Sequence, residues 1–242
     1  MPKTCRVHAI SLGCPKNRVD TETALAGLPF AHVLVDAPEK ADLVVVNTCA
    51  FIAPAVEESV NVILETAEAL RGLSPRPKLA VMGCLPARFG EELRKGLPEV
   101  DIWGTPSELD VLPGRLAAAL GETPAAPTGR VASTPPSYAY LKIAEGCDHA
   151  CRYCTIPSLR GGLVSRPAEG LVAEARNLLE RGASELVLVA QDVTAYGRDL
   201  GMREGLRQLL EKLLPLAGLK WLRLLYLYPS GVTESLLSFL AG

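Results

Sequence analysis

The stretch Ala41-Asp42-Leu43-Val44-Val45-Val46-Asn47-Thr48-Cys49 has a β-branched centre with no polar residue interleaved. A strand exposed on one face would alternate. An unbroken apolar run instead fits a strand buried on both faces, as in a parallel sheet covered by helices. The run ends on a cysteine. Lys78-Leu79-Ala80-Val81-Met82-Gly83-Cys84 repeats the order of strand, small residue and cysteine, and Arg6 to Leu12 is a short β-like run that ends at Gly13-Cys14.

Helical patterns lie between these strands. Asn17 is placed to cap a helix carrying Val19, Thr23, Ala24 and Leu25, which Gly27-Leu28-Pro29 ends. Val56, Val60, Ile63, Leu64, Ala67 and Leu70 recur at helical spacing, with Glu57, Glu58, Glu65 and Glu68 on the other side. Phe89 to Leu97 and Glu108 to Leu120 read as further helices, and His32 to Val35 and Val100 to Gly104 as further strands. Such alternation over residues 1–122 predicts an open parallel α/β amino-terminal domain. Ligands of these sheets sit beyond the carboxyl ends of the strands. Cys14, Cys49 and Cys84 each follow a predicted strand, so parallel neighbouring strands bring three thiols to one edge. The competing reading is three buried, inert cysteines, since cysteine is a common core residue.

Composition shifts between Gly121 and Ser137, which is rich in Pro, Thr, Ala and Gly, and a linker is expected over 123–136. Residues 137–242 form the expected second domain. Strands are predicted at Tyr138–Ala144, Glu185–Ala190 and Trp221–Tyr226, and helices at Glu169–Arg181, Leu206–Leu216 and Val232–Ala241. About three βα units are fewer than the eight of a closed barrel, so this domain reads as part of one.

Its first strand feeds Glu145-Gly146-Cys147-Asp148-His149-Ala150-Cys151-Arg152-Tyr153-Cys154, with cysteines spaced C-x3-C-x2-C. Three thiolates are one fewer than a cubane iron-sulfur cluster uses, which leaves one iron for a small molecule. Zinc would need a fourth ligand, and His149 between the first two cysteines suits that role poorly. The spacing behind a strand, with an aromatic before the last cysteine, is the radical S-adenosylmethionine signature.

With 242 residues, 48% of them hydrophobic, the chain can bury proper cores. Its 25 Lys and Arg against 27 Asp and Glu give a formal net charge of -2, so no global positive field draws it to nucleic acid. No stretch approaches the roughly 20 apolar residues of a membrane span, and Met1-Pro2-Lys3-Thr4-Cys5-Arg6 leads into no apolar run. A cytoplasmic protein without membrane partners is expected, and its seven cysteines then read as metal-binding or catalytic instead of disulfide-forming.

The motifs together resemble the methylthiotransferase family of radical S-adenosylmethionine enzymes, over both halves of the chain. Leu12-Gly13-Cys14-Pro15-Lys16-Asn17 with Val19-Asp20 and Glu22, Asn47-Thr48-Cys49, and Gly83-Cys84 are similar to the family's amino-terminal domain. The resemblance implies that Cys14, Cys49 and Cys84 hold an auxiliary [4Fe-4S] cluster and that Cys147, Cys151 and Cys154 hold the radical one. Cys-Pro-Lys-Asn at 14–17, with Ile156 to Gly161, Leu163 to Pro167 and Ala190 to Gly197, resembles the branch that modifies an aspartate of the twelfth small-subunit ribosomal protein. The implied reaction places a methylthio group on that aspartate's β-carbon. One S-adenosylmethionine methylates sulfur at the auxiliary cluster, a second yields the radical that removes a hydrogen, and an electron donor of flavodoxin or ferredoxin type is required. The two clusters are expected to face one substrate carbon between the domains.

Other candidates rest on position. Tyr153 lies where related enzymes place a residue against the adenine, with loop packing as the alternative. Gln191 and Asp192 end a strand on the cofactor side, although Asp192 also suits a cap. Arg160 and Arg166 are candidates for the cofactor carboxylate or the substrate aspartate, against ordinary surface pairing; Cys5 matches no motif. The family's further barrel units and carboxy-terminal TRAM β-domain do not follow Gly242, so a carboxy-terminally truncated member is expected. Rival readings are the same chemistry on tRNA, or a non-catalytic iron-sulfur or zinc module.

Overall fold

A computed structural model describes residues 4–122 and 133–242, which divide into two compact units meeting at 131/132 in sequence. Most of the expected linker, 123–132, lies outside the described residues.

The first unit runs β1 (Cys5–Ser11), α1 (Pro15–Ala26), β2 (His32–Leu34), β3 (Leu43–Thr48), α2 (Ala53–Leu70), β4 (Lys78–Gly83), α3 (Cys84–Gly96), β5 (Ile102–Gly104) and α4 (Leu112–Ala119). All five strands are parallel, in the order β2-β1-β3-β4-β5. Every residue of the central β3 is buried, as its unbroken Val run predicts. Leu43, Val45, Ala80 and Met82 pack with Leu25, Leu112 and Leu116 of α1 and α4 on one face. Val44, Val46, Leu79 and Val81 are equally buried on the other, where α2 packs against β3 and α3 against β4. The strand order reverses between β1 and β3, the switch point of a doubly wound sheet, where loops diverge to opposite faces and leave a crevice.

Three boundaries differ from the sequence expectation. The first helix starts at Pro15, with Cys14 at its N-cap in extended conformation and no side-chain cap, because proline's fixed φ suits the first helical position. Asn17 therefore sits inside the first turn instead of at the N-cap. The third helix starts at Cys84 and is interrupted at Gly90 (φ 50°), so the expected Phe89–Leu97 segment is only its second half. The fourth starts at Leu112, because Pro106–Glu108 forms a separate 3-10 turn in which the Glu108 carboxylate accepts from Thr105 N–H and Oγ1.

The second unit runs β6 (Tyr138–Lys142), β7 (Ala144–Glu145), α5 (Ile156–Arg160), β8 (Val164–Ser165), α6 (Ala168–Glu180), β9 (Glu185–Val189), α7 (Gly205–Leu213), β10 (Trp221–Leu224) and α8 (Glu234–Ala241). Three parallel strands in the order β10-β9-β6 form the expected βα units. Leu141, Leu186 and Leu188 pack with Leu171 and Leu178 of α6 and with Leu209 and Leu213 of α7. The short antiparallel pair β7-β8 and helix α5 escaped the sequence reading, since two- to five-residue elements carry no period. Among the described residues, no helix is long and apolar enough to cross a membrane.

Candidate functional site

The first set of thiols lies at the switch point. Strands β1, β3 and β4 are neighbours and parallel, so Cys14 and Cys49, on the segments after β1 and β3, and Cys84, the first residue of α3, leave the sheet at one edge. A buried amide ties them. Asn17, fully buried, donates from Nδ2 to the carbonyls of Leu12 (3.0 Å) and Thr48 (2.9 Å), while its Oδ1 faces the Cys14 thiol at 3.7 Å. Asn47 Nδ2 donates to Asn17 O (2.7 Å) and to Thr21 Oγ1 (3.0 Å), fixing α1 on the end of β3. Thr48 Oγ1 donates to Met82 O (2.6 Å) and accepts from Leu85 N (3.3 Å), carrying the link to the start of α3. Ser59 Oγ reaches back from α2 to both N–H and C=O of Cys49.

The second set sits in the loop between β7 and α5. Burial pushes the Cys147 thiol up, and the nearby Asp192, Cys154 and Cys151 add to it against a hydrogen bond from the His149 backbone. Cys154 Sγ accepts from Ile156 N at 3.5 Å. The glycine before a cysteine is a shared device. Gly13 (φ 80°), Gly83 (φ 101°) and Gly146 (φ 70°) all occupy the left-handed region, which costs other residues strain.

Glu145 anchors the base of this loop. Its carboxylate accepts from Lys142 Nζ (2.8 Å), Gly146 N (3.0 Å), Gln191 Nε2 (2.9 Å) and Arg160 Nη1, which reaches both oxygens at 3.0 and 2.9 Å. Burial alone would raise its pKa, yet the two cations outweigh it and hold the group at about 2. Arg166 donates to Lys142 O (2.8 Å) and pairs with Glu174 (2.6 Å). Asp192 does cap: Oδ1 accepts from Thr194 N. Its other oxygen meets His149 Nε2 at 2.8 Å, and the His149 ring stacks on Tyr228 at 4.0 Å, so the cysteine loop is latched to the segments after β9 and β10. Tyr153 is 85% exposed, and Cys5 is buried away from any motif.

Glu145, His149 and Asn17 as anchors were missed in the sequence because their partners are tertiary. The recurring Gly-Cys pair was the available signal.

The residues suit iron-sulfur clusters and a small ligand on one internal test. Among the described residues, the buried side-chain polar atoms without a hydrogen-bond partner are Ser11 Oγ, Asn47 Oδ1, Thr155 Oγ1 and Gln191 Oε1. Buried polar atoms are nearly always paired. All four lie at strand ends or beside a cysteine of the two sets. No three His, Cys, Asp or Glu side chains among the described residues are arranged as ligands of one metal ion, an arrangement a cubane does not demand because its thiolates bind separate irons.

Residues 6–104 match the family described as "Uncharacterized protein family UPF0004". The chain is 57% identical over 235 residues, 97% of its length, to the ribosomal protein uS12 methylthiotransferase RimO of Oleidesulfovibrio alaskensis. It is 50% identical to that of Lawsonia intracellularis and 43% identical to that of a Sulfurihydrogenibium species. The structure of a radical S-adenosylmethionine methyltransferase, TsrM, from Kitasatospora setae shares the fold, with a TM-score of 0.63 over 99% of this chain and 59% of that one at 15% identity. The chain spans about half the length of the curated relatives it matches, 55% of the first. At 43–57% identity across nearly every one of its residues, and with the parallel α/β units found above, the chain is similar to these RimO proteins over about half of their length.

Proposed function

We propose that the chain is the front part of an enzyme that places a methylthio group on the β-carbon of an aspartate in ribosomal protein uS12. One observation carries this reading: a chain 57% identical to a uS12 methylthiotransferase presents two separate three-cysteine sets, one beyond the carboxyl ends of parallel β1, β3 and β4 and one in the loop after β7, which follows parallel β6. In this reading Cys147, Cys151 and Cys154 hold one [4Fe-4S] cluster and Cys14, Cys49 and Cys84 a second. When bound, the first cluster with S-adenosylmethionine supplies a radical able to take hydrogen from an unactivated carbon, and the second supplies the place of sulfur delivery.

The chain's own residues bind and orient. Asn17, Thr48 and Ser59 hold the first three cysteine loops in register through backbone hydrogen bonds. Glu145, kept anionic by Lys142 and Arg160, fixes the turn into Cys147 and orients Gln191 so that its unpartnered Oε1 is an acceptor for an ammonium donor such as that of S-adenosylmethionine. Tyr153 and Gln191 are the proposed contacts of that cofactor, and Arg160, proposed for the same site, acts through its pairing with Glu145. An external donor of flavodoxin or ferredoxin type supplies electrons, and seven free thiols suit a reducing, cytoplasmic setting.

The test is anaerobic reconstitution followed by incubation with uS12 or with tRNA, read by mass spectrometry. A methylthio mass increment on an aspartate of uS12 is expected, and an increment on tRNA alone would sink the assignment.

A further inference from the structure

Four arginines in the second unit bear on recognition of a carboxylate, and the structure sorts them. Arg160 and Arg166 carry internal partners, Glu145 for the first and Glu174 with Lys142 O for the second. Arg198 and Arg203 are exposed, and among the described residues neither makes an ion pair or side-chain hydrogen bond. Both line one cavity of about 420 Å3, within the range of small-ligand sites.

His149, from the cysteine loop, and Asp192 line the same cavity. A group held there therefore sits beside the proposed radical-forming site. The acids on the wall are committed: Asp192 accepts from His149 and Thr194, and Glu204 accepts from Ser235 Oγ (2.6 Å) and pairs with Arg207 (3.5 Å). The spare charge is thus positive. The walls are also built by close backbone approach. A Cβ on Gly205 would strike the Tyr196 carbonyl, one on Gly197 would come within 3.0 Å of Gly205 Cα, and one on Gly231 would strike the Thr194 side chain.

We propose that Arg198 and Arg203 form the subsite that binds the carboxylate of the target aspartate, presenting its β-carbon toward the loop of His149. This rests on the uS12 reading above. A guanidinium is a planar donor fork that matches a carboxylate, stays charged at every working pH and is weakly hydrated, so two unpaired ones facing a cavity favour this anion over a neutral amide. The amino-acid carboxylate of S-adenosylmethionine has the same chemistry, and the test separates the two sources.

The experiment uses the anaerobically reconstituted full chain and measures its affinity for uS12, for uS12 with the target aspartate changed to asparagine, and for S-adenosylmethionine. Arg198→Gln with Arg203→Gln should weaken uS12 binding about tenfold or more, with iron content and circular dichroism unchanged. The asparagine form of uS12 should bind the parent as weakly and lose nothing further in the double variant, closing the cycle. Arg→Lys at both positions should retain part of the affinity. The proposal falls, with the uS12 reading intact, if the double variant keeps the parent's affinity for uS12 or loses affinity for S-adenosylmethionine in step. Failure of the parent chain to bind uS12 at all would remove the uS12 reading, and this subsite with it.

Discussion

Asn17 spends both amide hydrogens on carbonyls of two different loops, Leu12 O and Thr48 O, and has no exposure to water that would replace them. Asn17→Ala removes the donor to the buried Thr48 carbonyl, a loss of about 1–3 kcal/mol, and that to the half-buried Leu12 carbonyl, which costs less. The apo protein should melt several degrees lower, at about 2–4 °C per kcal/mol for a chain of this size. After reconstitution it should lose iron from the first cysteine set and keep that of the second. A variant that melts lower yet retains all its iron would show Asn17 to be a fold residue only. Spacing singled out Cys147, Cys151 and Cys154 in the sequence and strand ends singled out Cys14, Cys49 and Cys84, whereas Asn17, expected as a helix cap, lies within the first turn. Propensity alone favours asparagine before a helix, and only the contact with Thr48, 31 residues away, reveals the other role.

Strand-to-cysteine junctions are the repeated element. Gly146 combines φ 70° with a neighbour that forbids a side chain: a Cβ there would lie 2.6 Å from the Gly161 carbonyl oxygen and closer still to that of Gly162. Gly90 is the natural control, with φ 50° and open space around it. Gly146→Ala should therefore unseat the Cys147 loop and remove about half the iron of reconstituted protein, whereas Gly90→Ala should cost about 1–2 kcal/mol and leave iron untouched. Equal iron loss in both variants would mean that backbone strain in general, and not the local junction, disturbs loading. Elements with long buried runs, such as β3 and β9, were readable from hydrophobicity. The starts of α1 and α3 were not, because Pro15 and the kink at Gly90 override the apolar period, whereas those of α6 and α7 fall within one residue of expectation.

At the scale of the molecule, each unit has its own sheet and its own core, and each carries one three-cysteine set at its strands' carboxyl ends. The alternation of strands and helices announced this architecture, since buried parallel strands leave a continuous apolar signature. Which buried polar atoms would be left unpaired was invisible, being a property of packing. If each set loads independently, Cys14→Ala and Cys147→Ala should each lose about four of about eight irons, and the double variant nearly all. The two residual clusters should differ in one further respect. Only the cluster left in Cys14→Ala has Gln191 Oε1 and Glu145 beside it, so S-adenosylmethionine should alter its electron paramagnetic resonance spectrum while leaving that of Cys147→Ala unchanged. Loss of all iron from either single variant would instead mean that the six thiols cooperate in one centre, and the division of labour between the units would have to be abandoned.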